Sequence, residues 1–198
     1  SASVAFQSPR NGDTVSNPVI MRVASAGVHH TEIWAGPYRI AHSLTANPVH
    51  VGVLFSVTGE RTLQVRGYDS AGALIASDTI SVDIRNISGK LQPSASKVEG
   101  MTYEMVSAST GGEVPLDVRY WVDGWPIGDV ATGAGHARNA PWEISYTFAQ
   151  SGTGRLLQAR GYDADGKFVA EGFGYIDVEF DGSGGGGTIL DVIPQAVT

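Results

Sequence analysis

The chain of 198 residues contains no cysteine and few charged residues, 17% of the total. The lack of cysteine excludes disulfide bonds, thiol catalysis and cysteine-ligated zinc or iron–sulfur sites, although it does not decide the compartment. Thirteen Lys and Arg stand against twenty Asp and Glu, a net charge of −7, and no cluster of basic residues could neutralise phosphates. Nucleic acid is therefore not expected as a partner.

Long apolar runs are missing as well. No stretch approaches the ~20 residues that span a bilayer. The opening residues SASVAFQSPR lack the basic start and apolar stretch of a signal peptide. We expect a soluble, mature chain that does not insert into a membrane. At roughly 150 residues per domain, the length permits one large domain or two small ones.

An internal repeat is the most informative feature that is present. Residues 61–76, RTLQVRGYDSAGALIA, and residues 155–170, RLLQARGYDADGKFVA, are identical at nine of sixteen positions with an offset of 94. A looser match relates IWAGPY at 33–38 to WVDGWP at 121–126. Self-similarity at a fixed offset indicates repeated structural units. The sequence therefore predicts two copies of one module.

Within each copy the apolar residues alternate, as they do in half-buried strands. Leu63, Val65 and Gly67 would lie on one face, with the intervening polar residues on the other. Residues 69–72 and 163–166 provide Asp-x-x-Gly turns between alternating runs, which predicts a hairpin in each copy. No window of ten residues has helical apolar spacing. These observations predict an all-β fold.

Strands at intervals of roughly 8–12 residues, in modules of about 90, favour two tandem β-sandwiches over one barrel. We predict sandwich 1 over 1–86, a linker over 87–97 in which small and polar residues interrupt the pattern, and sandwich 2 over 98–180. The Gly-rich segment 181–187 is a flexible spacer by composition. Residues 188–198 are apolar and β-prone, and three origins stay open: the start of a further domain, a strand added to a sheet edge of this or another copy, or an appended peptide.

The segments SPRNGDTVSNPV at 8–19 and LQVRGYDSAG at 63–72, with VDGWPIG and LQARGYDADG in the second copy, carry a family resemblance. The chain resembles the bacterial immunoglobulin-like modules found in tandem on exported proteins. The resemblance implies immunoglobulin-like sandwiches in a secreted, periplasmic or cell-surface protein, acting as spacers or binding units beside peptidases, peptidoglycan-active enzymes or adhesins. The second copy departs from the pattern at its start, KVEGMTYEMVSASTGGEVPL, so its first strand is not defined by the resemblance.

Residues shared by both copies are expected to serve the framework, because two modules need the same turns more often than the same active site. This applies to the paired Arg66 and Arg160, Tyr68 and Tyr162, and Asp69 and Asp163. Asp163 and Asp165 could begin a calcium loop, but the bidentate Glu of such a loop is missing at position 174. We favour an ordinary Asp turn and expect no cofactor.

No catalytic motif is present. There is no Gly-x-Ser-x-Gly, P-loop or HExxH. Adjacent strand residues such as His29 and His30 point to opposite faces and should not share a metal. Neither a metal site nor catalysis is expected, although a concealed pair of carboxylates would escape such a search.

Aromatic residues provide the remaining candidate binding sites. Tyr38 follows Gly-Pro, and both Trp125 and Trp142 adjoin a proline, so all three are expected at the surface, where rings can contact a sugar or a protein. Trp121 is expected in the core. In the tail, four apolar residues are candidates for strand addition to a partner: Ile189, Leu190, Val192 and Ile193.

The sequence thus predicts a non-catalytic module that mediates protein–protein contact or positions a neighbouring domain. The alternative is a carbohydrate-binding accessory module of a secreted hydrolase, with a cell-wall or other glycan as its ligand.

Overall fold

The computed structural model describes residues 1–128, 136–179 and 192–194. Across these residues every regular element is a β-strand. No helix in the described part of the chain is long and apolar enough to cross a membrane. The chain divides into two compact units: unit 1 comprises Ser1–Asn86 with Leu190–Thr198, and unit 2 comprises Ile87–Ile189.

Unit 1 begins with eight strands, which run in chain order: β1 (Ser3–Ser8), β2 (Thr14–Ser16), β3 (Val19–Ala26), β4 (His30–Ala35), β5 (Tyr38–Leu44), β6 (Val49–Leu54), β7 (Gly59–Tyr68) and β8 (Leu74–Arg85). Unit 2 contains the next eight: β9 (Gly89–Glu99), β10 (Thr102–Gly111), β11 (Asp117–Val122), β12 (Trp125–Pro126), β13 (His136–Ala137), β14 (Ile144–Thr147), β15 (Gly152–Tyr162) and β16 (Phe168–Val178). A last strand, β17 (Val192–Pro194), belongs to unit 1.

Unit 1 is built from two sheets that share one core. The first sheet has the order β1-β3-β6-β17 and the second the order β2-β8-β7-β4-β5. Met21 of the first sheet and Ile33, Leu63 and Ile84 of the second are fully buried in a single apolar cluster. Inward-facing residues of two sheets that meet in one core define a β-sandwich.

The alternation predicted for β7 is confirmed. Leu63 and Val65 are buried, whereas Gln64 and Arg66 remain partly accessible. Gly67 also faces inward, and a Cβ placed there would lie 2.7 Å from Cγ1 of Val28. A side chain at this position would therefore displace core residues.

The strands of unit 2 are linked by hydrogen bonds into one sheet. Its order is β12-β11-β15-β16-β9-β10-β14, and β13 pairs with β11. Strand β9 pairs antiparallel with β10 and, through Gly89 and Lys90, parallel with β16. The core includes the fully buried Tyr103, Met105 and Leu157. Strand β9 thus joins the strands β12, β11, β15 and β16 to the strands β10 and β14. Strands on both sides of β9 contribute buried residues to one core, as the two layers of a β-sandwich do.

Glycine permits the close approach of β9 and β16. A Cβ at Gly172 would collide with the backbone carbonyl of Leu91. A Cβ at Gly89 would collide with the carbonyl of Glu113 and lie 2.5 Å from the side chain of Ala170. The bare backbone at these two positions lets the two strands lie close together.

The predicted linker at 87–97 is wrong, because most of it is strand β9. Leu91, Pro93 and Ala95 face inward and are buried, in the alternation expected of a strand. The small residues that suggested a linker face inward in this strand, and the polar residues face outward. The second unit consequently starts at Ile87 instead of residue 98.

The tail contributes β17, which pairs in parallel with β6. Val192 lies opposite Gly52, Ile193 opposite Val53 and Pro194 opposite Leu54. The Gly-rich segment at 181–187 and the candidate residues Ile189 and Leu190 lie outside the described residues. For Val192 and Ile193, the structure describes the backbone pairing.

Candidate functional site

Tyr38 and Trp125 occupy equivalent positions in the two units. Each is the first residue after a tight turn: Tyr38 pairs with Ala35 across the β4–β5 hairpin, and Trp125 pairs with Val122 across the β11–β12 hairpin. Tyr38 is 46% exposed and Trp125 is 63% exposed. The structure thus puts both rings on the surface, at the β4–β5 hairpin of unit 1 and the β11–β12 hairpin of unit 2.

Trp142 is not at the surface, contrary to the sequence prediction. It is 3% exposed, and its indole Nε1 donates to the carbonyl oxygen of Leu116 at 3.3 Å. Its own carbonyl accepts a hydrogen bond from the hydroxyl of Tyr120 at 2.7 Å. The turn closed by the Trp142 amide and the Asn139 carbonyl directs the ring inward, so the adjacent proline did not indicate exposure.

Trp121 was expected in the core but lies on the outer face of β11. Tyr120 and Val122, its neighbours, are the residues that point inward. The guanidinium of Arg160 sits 4.7 Å from the centroid of the Trp121 ring. In unit 1, Arg66 lies 4.2 Å from the centroid of Trp34 in the same way.

The pairing of strands corrects the sequence alignment of the two copies. Trp34 lies opposite Gln64, and Trp121 lies opposite Gln158. The two tryptophans are therefore equivalent, one position away from the match that relates IWAGPY to WVDGWP. The segment between the tryptophan and the repeat differs in length between the two copies, so an alignment at one fixed offset does not show that the tryptophans are equivalent.

The shared Asp residues close their turns, as predicted. Oδ1 of Asp69 accepts hydrogen bonds from the amides of Ala71 and Ala73, at 3.0 and 2.8 Å. Oδ1 of Asp163 accepts the equivalent bonds from Asp165 and Lys167, both at 2.9 Å. These are Asx turns, in which a carboxylate holds the backbone of the hairpin loop.

A cleft of about 220 Å³ lies beside Trp125 in unit 2. The residues lining it come from the β11–β12 hairpin and the residue after it, from β14, from the segment that joins β14 to β15, and from β15: Val122, Trp125, Pro126, Ile127, Tyr146, Phe148, Ala149, Gln150 and Arg155. Val122, Ile127 and Phe148 form its buried floor. The cleft therefore joins an apolar floor to an exposed indole ring and to polar side chains.

Arg155 is fixed in this cleft by three contacts. Its Nε donates to Oδ2 of Asp123 at 3.1 Å, and its Nη1 donates to the carbonyl of Gln150 at 3.2 Å. Its guanidinium carbon lies 5.2 Å from the centroid of Phe148. The Arg155 side chain remains 23% exposed. A cation held in this way can contact a ligand without losing further side-chain entropy.

Tyr146 adds a second ring to the cleft. It is half-buried and meets Phe148 edge to face, with the ring centroids 5.0 Å apart. Trp125 was predicted as a binding residue from the sequence, whereas Tyr146, Phe148, Gln150 and Arg155 were not. Of these four, only Arg155 stood out in the sequence, because it matches Arg61 in the internal repeat. The others come together only when β14 and β15 flank the hairpin.

The outer face of unit 1 carries a network of charged and aromatic residues. Glu32 accepts from the indole of Trp34 at 3.1 Å and from Arg39 at 3.1 Å. Burial alone would raise the pKa of Glu32, but hydrogen bonds from Tyr68, Trp34 and Arg39 outweigh it and hold the pKa below its ordinary value. The Glu32 carboxylate therefore accepts hydrogen bonds from side chains of its own sheet.

The histidines differ from the geometry expected of them. His29 lies before β4, and its Nδ1 is 3.0 Å from Nδ1 of His30, so the two rings meet instead of pointing apart. The His30 ring stacks on Tyr68 with the centroids 5.2 Å apart. Within residues 1–128 and 136–179, no group of three or more His, Asp or Glu side chains is arranged to hold a metal ion.

No protein-family model and no curated protein matches the chain. Solved structures with a partial likeness include fibronectin(III)-like modules of Clostridium thermocellum CbhA, at 18% identity over 86% of this chain and 90% of that chain, with a TM-score of 0.38. A chimeric titin Z1Z2 tandem matches at 17% identity over 85% and 97%, with a TM-score of 0.30.

A β-glucuronidase from Bacteroides uniformis also matches, at 10% identity over 86% of this chain but only 24% of the enzyme, with a TM-score of 0.32. The neighbours thus include fibronectin(III)-like modules, and the likeness is one of all-β architecture. With TM-scores below 0.5, these likenesses carry no conclusion about what this chain does.

Proposed function

We propose that the chain is a non-catalytic binding and spacing region of an exported protein, in which two tandem immunoglobulin-like sandwiches present a ligand contact at the Trp125 cleft. Support comes from the two separate cores, one in each compact unit, and from the lack of a nucleophile, P-loop or HExxH motif in the sequence. Modules with cores of their own can hold neighbouring regions apart while one surface binds.

Trp125 is the observation that carries the proposal. Exposing 63% of an indole costs favourable burial, and an exposed ring beside a cleft is a common mark of a binding surface. The cleft of about 220 Å³ is smaller than the ~300–1,000 Å³ of drug-sized pockets. A single sugar ring is the ligand that best fits this volume, because Trp125 offers an apolar face while Gln150 and Arg155 offer hydrogen-bond donors.

The test is retention on defined insoluble glycans. The chain is incubated with cellulose, xylan and peptidoglycan, and the bound fraction is measured by sedimentation. We expect binding to at least one of them, reduced about tenfold or more by Trp125→Ala. Tyr38→Ala, the matched change at the equivalent hairpin of unit 1, should bind as the unchanged chain does.

Two results would oppose the proposal. Equal retention of Trp125→Ala and the unchanged chain would remove the cleft from the binding surface. Release of soluble sugar from any of the three glycans would show catalysis and reject the non-catalytic assignment.

A protein partner is the second candidate. It is favoured by a separate feature, the pairing of β17 with the edge of β6 in unit 1.

A further inference from the structure

Five of the six residues of strand β6 pair with a neighbouring strand on one side, and three pair with a strand on the other. Five residue pairs join it to β3, from Val19 opposite Val53 to Val23 opposite Val49. On its far side, Val192–Pro194 forms the three pairs of β17. Without β17, the backbone of β6 would be the outer edge of this sheet. An uncovered edge is a template for pairing with another chain.

The edge is rigid, because β6 belongs to the core. Val49, Val51 and Val53 are all buried in the apolar cluster of unit 1. The alternate residue His50 lies opposite Arg22 on β3, whose Nη1 is 2.8 Å from the imidazole Nε2. Contacts on both faces of the strand hold its backbone in one conformation. A strand that adds to this edge therefore meets an acceptor that needs no rearrangement.

The register of β17 shows what the edge accepts. The added strand runs parallel to β6 and ends with Pro194 opposite Leu54. Proline cannot donate to a ladder and is tolerated where a strand lies at an edge or ends. The segment that fits is thus short, β-branched and ended by proline, which is the sequence Val192-Ile193-Pro194.

We propose that the β6 edge is a strand-acceptor site, and that residues 192–194 of a second copy of this chain can occupy it in the same parallel register. In the monomer the chain's own segment fills the site and limits access by another copy. Three residue pairs give little stability in isolation. The intramolecular strand is favoured by its high effective concentration, and detaching it opens the edge to a second copy. The site is independent of the Trp125 cleft.

The experiment opens the edge in the chain of 198 residues. Val192→Pro together with Ile193→Pro removes both amide donors beside Pro194, so the chain's own segment can no longer pair with β6. A fluorescently labelled peptide of residues 188–198 serves as the segment of a second copy, and its binding is followed by anisotropy. We expect saturable binding to the proline variant at least about tenfold tighter than to the unchanged chain.

Matched controls separate the backbone from the side chains. Val192→Thr with Ile193→Thr keeps both amides and the β-branched shape, so this chain should exclude the peptide as the unchanged chain does. A peptide that carries the two prolines should not bind the opened edge. Urea unfolding of each variant verifies that unit 1 is folded, and Trp125→Ala should leave peptide binding unchanged.

Equal affinity of the peptide for the opened and unchanged chains would overturn the proposal. So would binding of the proline-containing peptide, or no saturable binding to a folded proline variant. These results would not affect the proposal that the cleft binds a glycan, because glycan retention is measured without the peptide.

Discussion

Arg160 and Glu171 form a buried ion pair between neighbouring strands of unit 2. Nε of Arg160 donates to Oε2 of Glu171 at 3.1 Å, and the two side chains are 6% and 2% exposed. Gln158 donates to the same oxygen at 3.0 Å. In unit 1 the equivalent Arg66 faces Ser77 instead of an acid, and its Nε donates to Gln64. Both units thus place an arginine over a tryptophan ring, but the arginine bonds to Gln64 in unit 1 and to Glu171 in unit 2.

Replacing Glu171 by Ala should destabilise unit 2 strongly. The change leaves the Arg160 charge buried without this carboxylate, which typically costs about 3–5 kcal/mol. Urea unfolding measures the loss. Asp83→Ala is the control: it breaks the exposed Arg85–Asp83 pair, with a 2.8 Å contact, and should cost less than about 1 kcal/mol. Equal losses in the two variants would contradict the importance of burial at Glu171.

Gly172→Ala tests the close approach of β16 to β9. The new Cβ would collide with the backbone carbonyl of Leu91, which cannot move aside as the end of a side chain can. We expect a loss of about 3 kcal/mol or more in the free energy of unfolding of unit 2. Gly111→Ala is the matched change, because its Cβ meets only Cδ of Lys90 at 3.9 Å. That variant should unfold within about 1 kcal/mol of the unchanged chain.

The sequence predicted the parts of the fold that local chemistry determines. The alternation of Leu63 and Val65, together with the turns at Asp69 and Asp163, identified the hairpins because each signal lies within a few residues. Strand β9 escaped prediction, since its inward positions include Gly89, which is small, and Pro93, which resembles a linker residue.

The candidate site was predictable only in part, for a similar reason. Trp125 follows a Gly turn, and its exposure could be inferred from that turn. Trp142 also adjoins a proline, yet its ring is buried because a turn at Asn139 reverses the chain. Long-range pairing brings Tyr146 and Arg155 to the cleft, and no local pattern records it.

Thr31→Val should stabilise unit 1. Thr31 is 3% exposed, and its Oγ1 has no hydrogen-bond partner among the described residues. Because a buried polar atom without a partner costs free energy, replacing it with a methyl group of similar shape should raise the free energy of unfolding by about 1 kcal/mol. Ser107→Ala should instead lower the free energy of unfolding, since it removes a hydroxyl that is hydrogen-bonded to Tyr120 at 2.9 Å. A lower midpoint in urea for Thr31→Val would contradict this reading of the hydroxyl.

Tyr120 should make the stability of unit 2 depend on pH in the alkaline range. Burial raises the pKa of its hydroxyl to about 12, only partly offset by the hydrogen bond with Ser107, whereas the ordinary pKa is 10.0. The folded state thus favours the neutral phenol, whose hydroxyl donates to the Trp142 carbonyl at 2.7 Å. This stabilisation is complete below pH 10 and is lost as the pH rises from about 10 to about 12. At pH 11 the loss is about 1.4 kcal/mol relative to pH 8.

Tyr120→Phe isolates this contribution. The variant lacks the hydroxyl and starts from a lower stability at pH 8, by about 1 kcal/mol for the lost hydrogen bond. Burial also raises the pKa of Tyr162, but that residue is present in both chains and cancels in the difference. Urea unfolding at pH 8, 10 and 11 should therefore show the two curves converging as the pH rises. Parallel curves would mean that the Tyr120 hydroxyl titrates in the folded chain as it does in the unfolded one.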